Sequence, residues 1–352
     1  MLNGRKLVAF CGKASCFVRG KCFAEDVSLG FGEDLGCSLR ETVRAMAPRG
    51  WIAATPDQHP LEAFDAFVFQ DMPRHVDPVW TFACQHARPR YLVVAENPLI
   101  DRLNAEYDRY REFNRVFTFE DEAVRKYHCT KLNYVFDFSR TLADTPSFED
   151  RRLAVMISSR VKKLRPGLVS YERVRTIDYY EKNHPDQFDL FGIGWDVGVR
   201  RLMTHPKLYR ALQTMRLANL VPSTPCRVWK GTLERKLPTI SRYRFSYCYE
   251  NTTSISGYVT EKLFDVLMAG TVPVYLGHPS ARNVFPSGLY IDRADFKDDA
   301  DLYAYLSSLS DKDWMSYREV AREYLSSRQA HAEFSVAHYV DLLLSALADD
   351  IG

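Results

Sequence analysis

The stretch Tyr243-Arg244-Phe245-Ser246-Tyr247-Cys248-Tyr249-Glu250-Asn251, continuing Thr252-Thr253-Ser254-Ile255-Ser256-Gly257-Tyr258-Val259-Thr260-Glu261-Lys262, decides the fold. A run rich in aromatic residues ends in a carboxylate and an amide, as a buried strand does where it meets a polar loop. Small hydroxyl residues make up much of the loop. Thr260 is then placed to cap a helix. Leu263, Phe264, Val266 and Leu267 give that helix one apolar face, and Gly270 stops it. Val272-Pro273-Val274-Tyr275-Leu276 is the next strand. Strand, loop, helix, strand is one repeat of a parallel α/β sheet, whose ligands bind beyond the carboxyl ends of the strands.

The same alternation extends in both directions. Residues 6–10, 66–69, 90–95 and 116–119 read as buried strands, with helices over 38–46, 78–85 and 121–127. A polar stretch over 139–150, carrying Pro146, reads as a linker. A second series follows, with strands over 153–157, 188–192, 243–249 and 272–276 and a helix over 171–183. The prediction is an α/β protein of two Rossmann-like, doubly wound domains facing a cleft. The first covers 1–140 and the second 150–330, with a final helix in 331–352 packing back on the first domain.

The 352 residues suit two domains, and 46% hydrophobic with 26% charged residues excludes a disordered or fibrous chain. A net charge of +2 gives no support to nucleic-acid binding. The eight cysteines form no Cys-x-x-Cys pair and no zinc-type cluster. No signal peptide and no run of about 20 apolar residues is found, so a reduced, cytoplasmic protein is expected, with room for peripheral contact with a membrane. The nearest membrane-like run, 339–344, is followed by Asp349 and Asp350, the wrong charge for a basic anchor.

The chemistry concentrates at strand ends. Glu96 follows the third strand of the first half, and Glu250 and Asn251 follow the decisive strand of the second. A helix N-terminus after a loop of small residues is a natural anion site, and Lys262 adds a full positive charge in the first turn. Alternatively, Lys262 pairs with Glu261 or Asp265 on a solvated face, Asn251 is a turn residue, and Glu96 caps the turn through Asn97-Pro98. The near-neutral chain also hides a local excess. Residues 151–182 hold nine basic residues (Arg151, Arg152, Arg160, Lys162, Lys163, Arg165, Arg173, Arg175 and Lys182) against three acidic ones. A diphosphate site and a solvated loop both account for it.

Tyr249-Glu250-Asn251, then Tyr258-Val259-Thr260-Glu261-Lys262-Leu263, then Ala269-Gly270-Thr271-Val272-Pro273-Val274-Tyr275-Leu276-Gly277, in that order, resemble the signature of the α-1,3-fucosyltransferases, glycosyltransferase family 10. Phe285-Pro286 and Asp295-Phe296 look like that family's downstream elements. The resemblance covers residues 150–300 well and the first half chiefly through Glu96-Asn97. It implies a two-domain GT-B fold and GDP-fucose as donor, with a glycan acceptor. It implies Lys262 on the diphosphate, Glu261 near the fucose or ribose, and Asn251 and Tyr258 framing the nucleotide beside Glu250. It implies an arginine on the phosphates, either Arg173 or Arg175, with Arg175 favoured. Glu96 is the implied general base. Inverting transfer of this kind requires one base on the acceptor side and cationic groups at the leaving diphosphate, so no metal or other cofactor is implied.

Other readings are weaker. Asp311-Lys312-Asp313 looks like a helix cap rather than the metal motif of a GT-A enzyme, and no P-loop motif occurs. Gly30-Phe31-Gly32 with Gly36 has no clear strand before it, so a Rossmann oxidoreductase is disfavoured. A same-fold transferase using another sugar nucleotide remains, as does a non-catalytic nucleotide- or carbohydrate-binding protein.

Overall fold

The structure, a computed structural model, describes residues 5–24, 35–160, 167–195, 207, 211–212, 214–215 and 226–352. The Gly30-Phe31-Gly32 cluster and Lys162, Lys163 and Arg165 lie outside the described residues. The chain divides into two units: Met1–Asp137 with Ser256–Tyr258 and Arg328–Gly352, and Phe138–Ile255 with Val259–Ser327.

In the first unit β1 (Lys6–Gly12), α1 (Leu35–Met46), β2 (Trp51–Ala54), β3 (Ala66–Gln70), α2 (Pro78–Gln85), β4 (Arg90–Val93), β5 (Arg115–Thr118), α3 (Asp121–Tyr127) and β6 (Thr130–Lys131) follow in order. All strand pairs are parallel, in the order β2-β1-β3-β4-β5-β6. Leu7, Val8 and Ala9 are fully buried, the mark of a strand covered on both faces. The sequence reading missed β2 and β6. The first is a short strand following Pro48-Arg49-Gly50, and the second is a polar edge of two residues.

The second unit holds β7 (Arg152–Ile157), α4 (Ser170–Asn183), β8 (Phe188–Phe191), α5 (Lys236–Ile240), β9 (Tyr243–Tyr249), α6 (Glu261–Met268), β10 (Val272–Leu276), β11 (Ile291–Asp292), α7 (Asp299–Ser308) and α8 (Asp311–Leu325). Its sheet is also parallel, in the order β11-β10-β9-β7-β8. The edge strand β11 was also missed. Ser310 and Asp313 form a capping box at the start of α8, so the Asp311-Lys312-Asp313 stretch is helix-end chemistry. Leu263, Phe264, Val266 and Leu267 of α6 are at most 2% exposed, and such side chains contribute roughly 1.5–3 kcal/mol each on burial. Gly270 follows α6 at φ +62, the left-handed exit that a side chain resists.

The last two helices, α9 (Arg328–Phe334) and α10 (Val336–Ile351), belong to the first unit. On α10, Val336, Tyr339, Val340, Leu343, Leu344, Leu347 and Ile351 repeat at helical spacing and pack with Val8, Phe10, Val68 and Tyr91. Among the described residues no helix is long and apolar enough to cross a membrane. All eight cysteines are free.

The two doubly wound α/β sheets predicted from the sequence are therefore present. In each, the first strand lies between the second and third: β1 between β2 and β3, β7 between β8 and β9. Adjacent connections leave in opposite directions there, opening a crevice at the carboxyl ends.

Candidate active site

At the switch point of the second unit, the chain leaves β7 at Ser158 and β9 at Glu250. Two contacts stitch the start of α4 to the loop after β9. The Val169 N–H donates to the Asn251 carbonyl at 3.0 Å, and the Thr252 hydroxyl donates to the Gly167 carbonyl at 2.7 Å. This attachment delivers Arg173, one turn into α4, to the strand ends. Its guanidinium donates to the carbonyls of Tyr249 (2.6 Å) and Glu250 (2.8 Å) and to the Asn251 side-chain oxygen (3.1 Å). Arg173, Lys236, Lys262 and Ser158 line one narrow pocket here, with Asp265.

Thr260 caps α6, accepting from the Lys262 N–H. Glu250, fully buried, holds the cap in place: one carboxylate oxygen accepts from the Thr260 N–H (2.8 Å), the other from its hydroxyl (2.7 Å). The Lys262 ammonium lies 3.4 Å from Glu250, 3.5 Å from Glu261 and 2.9 Å from the Thr260 hydroxyl. Lys236 pairs with Asp265 at 3.1 Å. Burial draws both lysines toward neutrality. The carboxylates outweigh it and hold them above the ordinary lysine value: Glu261 then Glu250 for Lys262, Asp265 then Glu261 for Lys236. Burial raises Glu261, yet Lys262 and Lys236 together depress it below the ordinary glutamate value. Glu250 goes the other way, because burial exceeds the help it receives from Lys262. The result is a half-buried cluster with its lysines charged and Glu261 ionised.

In the first unit, Glu96 follows β4. One of its carboxylate oxygens accepts from the Asn97 N–H (2.9 Å) and side-chain amide (3.1 Å). Asn97 in turn accepts from the Leu99 and Ile100 N–H groups. Glu96 thus has the turn contact that its structural reading requires, and this contact also fixes the direction of its carboxylate. Asp71, after β3, accepts from the N–H groups of Ala95 (2.9 Å) and Glu96 (2.8 Å). Beside it, at the first unit's switch point, lies a cleft of about 460 Å³ lined by Gly12, Lys13, Phe17, Asp57, Gln70 and Asp71, among others.

Residues 204–340 match the family model for the C-terminal part of glycosyltransferase family 10 (fucosyltransferase). Over this stretch, somewhat over a third of its length, the chain is similar to the C-terminal part of glycosyltransferase family 10. An alpha-(1,3)-fucosyltransferase of Helicobacter pylori is 35% identical over 77 residues, covering 22% of this chain and 16% of that protein. An alpha-(1,4)-fucosyltransferase of Arabidopsis thaliana is 39% identical over 80 residues, or 23% and 20% of the two chains. The matched stretch is about a fifth of the length of these curated relatives. A crystal structure of an alpha1,3-fucosyltransferase with GDP-fucose matches over 99% of this chain and 92% of that one, with a TM-score of 0.54 and 14% identity. The DNA-modifying beta-glucosyltransferase matches over 97% and 99%, with a TM-score of 0.57 and 11% identity. At such identities the likeness is one of fold, the two-sheet GT-B architecture of glycosyltransferases.

In the second unit the structure brings Arg173, which precedes the matched stretch, together with Asn251 and Lys262 inside it, with Glu250 and Glu261 beside them. It does not bring Arg175 there. Arg175 pairs with Glu172 at 3.5 Å and lies over the Tyr171 ring, because the residue two positions from Arg173 points to another face of α4. Of the two arginines, it is Arg173 that borders Asn251 and the pocket of Lys262. Among the described basic residues of 151–182, Arg151 meets backbone carbonyls, Arg152 pairs with Asp189 and Lys182 with Asp178. Glu250 has no exposed surface; its carboxylate is taken up by Thr260 and Lys262. Tyr258 lies outside the pocket lining and is buried against Phe119 and Tyr134 in the first unit. The preceding Gly257 has φ +82, and a Cβ there would sit 2.2 Å from the Phe119 carbonyl, so only glycine permits this packing. Lys236 escaped the sequence reading because Lys236-Leu237-Pro238 looks like a loop. Asp71 escaped it although it meets the strand-end rule that selected Glu96.

Proposed function

We propose that the protein is an inverting fucosyltransferase that moves L-fucose from GDP-β-L-fucose to a hydroxyl of a glycan acceptor, in α-1,3 linkage to a GlcNAc of the N-acetyllactosamine or surface-glycan type. The observation that carries this reading is the meeting of Arg173, Lys262 and Lys236 at the switch point of the second unit, beside the stretch similar to family 10. As the bond from fucose C1 to the diphosphate breaks, negative charge grows on the phosphate oxygens, and preorganised, half-buried cations stabilise it. The acceptor oxygen forms the new bond to C1 from the opposite face, and its proton passes to the Glu96 carboxylate. The role resembles that of the base in inverting glycosidases. Glu261, held ionised, accepts from a hydroxyl of the donor's fucose or ribose, and Asn251 borders the nucleotide. Tyr258 supports the loop from its buried position. In this reading the cations do the work of a metal, and transfer survives chelation by EDTA. The reading places the enzyme in the cytoplasm, with peripheral membrane contact where the acceptor is lipid-linked, and gives it no nucleic-acid partner.

The test combines titration of GDP against the full chain with GDP release from GDP-fucose in the presence of N-acetyllactosamine. Saturable GDP binding with acceptor-dependent release supports the proposal. Turnover with another sugar nucleotide alone replaces the donor. Tight GDP binding with no turnover on any glycan leaves a nucleotide-binding protein.

A further inference from the structure

Asp71 is one of the few non-glycine residues with a left-handed backbone, at φ +63, among the described residues. Aspartate tolerates that region better than most side chains, but it is held there by specific bonds. Its own N–H donates to the Val93 carbonyl at 2.9 Å. A single carboxylate oxygen, Oδ1, accepts three hydrogen bonds: from the N–H of Ala95, the N–H of Glu96 and the side-chain amide of Asn104 (2.8 Å). The same Asn104 amide donates to the Glu96 carbonyl at 2.8 Å, and the Asn104 oxygen accepts from the Met72 N–H at 2.8 Å. Asn104 is fully buried. Both main-chain polar groups of Glu96 are therefore tied to the Asp71–Asn104 pair, while its carboxylate is tied to Asn97. The Tyr134 hydroxyl adds a bond to the Ala95 carbonyl. Asp71 also lines the cleft at the β1/β3 switch point, so one residue borders that cleft and holds the backbone of the candidate base.

We propose that Asp71, through the bonds it shares with Asn104, is a positioning residue that sets the main chain of Glu96 for proton abstraction; this rests on the assignment of Glu96 as the base. A displacement of about 1 Å at a reacting group costs on the order of 10²-fold in rate. An amide oxygen can stand in the place of Oδ1 and accept from these donors with its two lone pairs, so most of the function belongs to the acceptor atom and not to the negative charge. Burial pushes the Asp71 carboxyl above the ordinary aspartate value, which fits a role that does not need its ionisation.

The experiment measures kcat and KM for GDP-fucose, with an N-acetyllactosamine acceptor, for Asp71→Gly, Asp71→Asn, Asn104→Ala and Glu96→Gln in the full chain. Glycine keeps the left-handed backbone available and removes only the clamp. Expected are a fall in kcat of about 10²-fold for Asp71→Gly with KM for the donor unchanged, a fall in the same direction for Asn104→Ala, and recovery of most of the loss in Asp71→Asn. Glu96→Gln stays inactive. Wild-type kcat in Asp71→Gly and Asn104→Ala, with Glu96→Gln inactive, overturns the positioning role alone. Asp71→Asn as inactive as Glu96→Gln also overturns it, since the charge of Asp71 would then be essential. Glu96→Gln at the wild-type rate removes the base assignment and this proposal with it.

Discussion

The carboxyl ends of the two sheets solve different problems with the same topology. In the second unit the crevice is ionic: Arg173, Lys236 and Lys262 face Glu250, Glu261 and Asp265, and each charge is held by a neighbour of opposite sign or by main-chain carbonyls. In the first unit the ordering is done by amides: Asn97 and Asn104, with backbone N–H groups, hold two carboxylates, Glu96 and Asp71. In the proposed reaction, the first arrangement suits an anionic leaving group, and the second an acceptor hydroxyl that must give up a proton. What separates the two ends is the partners supplied by the loops and helices next to them, since the strand order around each switch point is the same.

The largest effect that tests this division is that of Glu96→Gln. Transfer should fall by about 10²–10⁴-fold, the usual contribution of a general base. GDP affinity, measured by titration, should be unchanged. A loss of GDP binding in that variant breaks the division between the two ends. The reciprocal change is Arg173→Ala. A charge-assisted hydrogen bond contributes roughly 1.5–3 kcal/mol, so GDP affinity should fall by about 10–100-fold, while Arg175→Ala leaves it near wild type. Equal losses from the two arginines would return the diphosphate to either residue. A third variant separates binding from scaffold. Arg151 is buried, donates to the Tyr243 and Gly270 carbonyls and to Thr271, and burial lowers it to about 10. Arg151→Ala strips these acceptors of their donor, and chemical unfolding should show a loss of roughly 1–3 kcal/mol with GDP affinity in the surviving fold unaltered.

How much of this was visible beforehand follows the same division. Strands such as 243–249 and 272–276 were legible to the residue, because a buried parallel strand reads as a nearly continuous run of apolar and aromatic residues, broken in 243–249 only at Arg244 and Ser246. Edge strands β6 and β11, two residues each, carry no period to detect. Lys262 was legible because it sits in a strand–loop–helix pattern with a cap at Thr260. Arg173 could not be separated from Arg175 by composition, since the choice depends on which face of α4 meets the Asn251 loop, a tertiary fact. The basic excess of 151–182 left a diphosphate site and a solvated loop both open, because charge counts do not show local partners such as Asp189 for Arg152 and Asp178 for Lys182. Asp71 was written in the sequence at a strand end, but its significance lies in three bonds to residues 24 to 33 positions away.

The smallest effect is also the one in which the two ends differ in sign. Glu261 is depressed below the ordinary glutamate value by Lys262 and Lys236, so the folded state binds its proton less tightly than the unfolded chain. Its contribution to stability is present above the ordinary glutamate value and is lost as pH falls through the lower, folded value. Asp71 is raised by burial, so the folded state binds its proton more tightly. Its contribution is fully present below the ordinary aspartate value and is lost as pH rises through the higher, folded value. Removing the charge should therefore act oppositely at the two ends. Glu261→Gln should destabilise at neutral pH and become neutral in acid. Asp71→Asn should be closest to neutral, or stabilising, at neutral pH, and least favourable in acid. Denaturant midpoints for both variants, taken at neutral pH and again below the ordinary carboxylate range, read the two slopes directly. Slopes of the same sign would mean that the amide-held and cation-held carboxylates are not electrostatically distinct, and the contrast between the two strand ends would then rest on hydrogen-bond geometry alone.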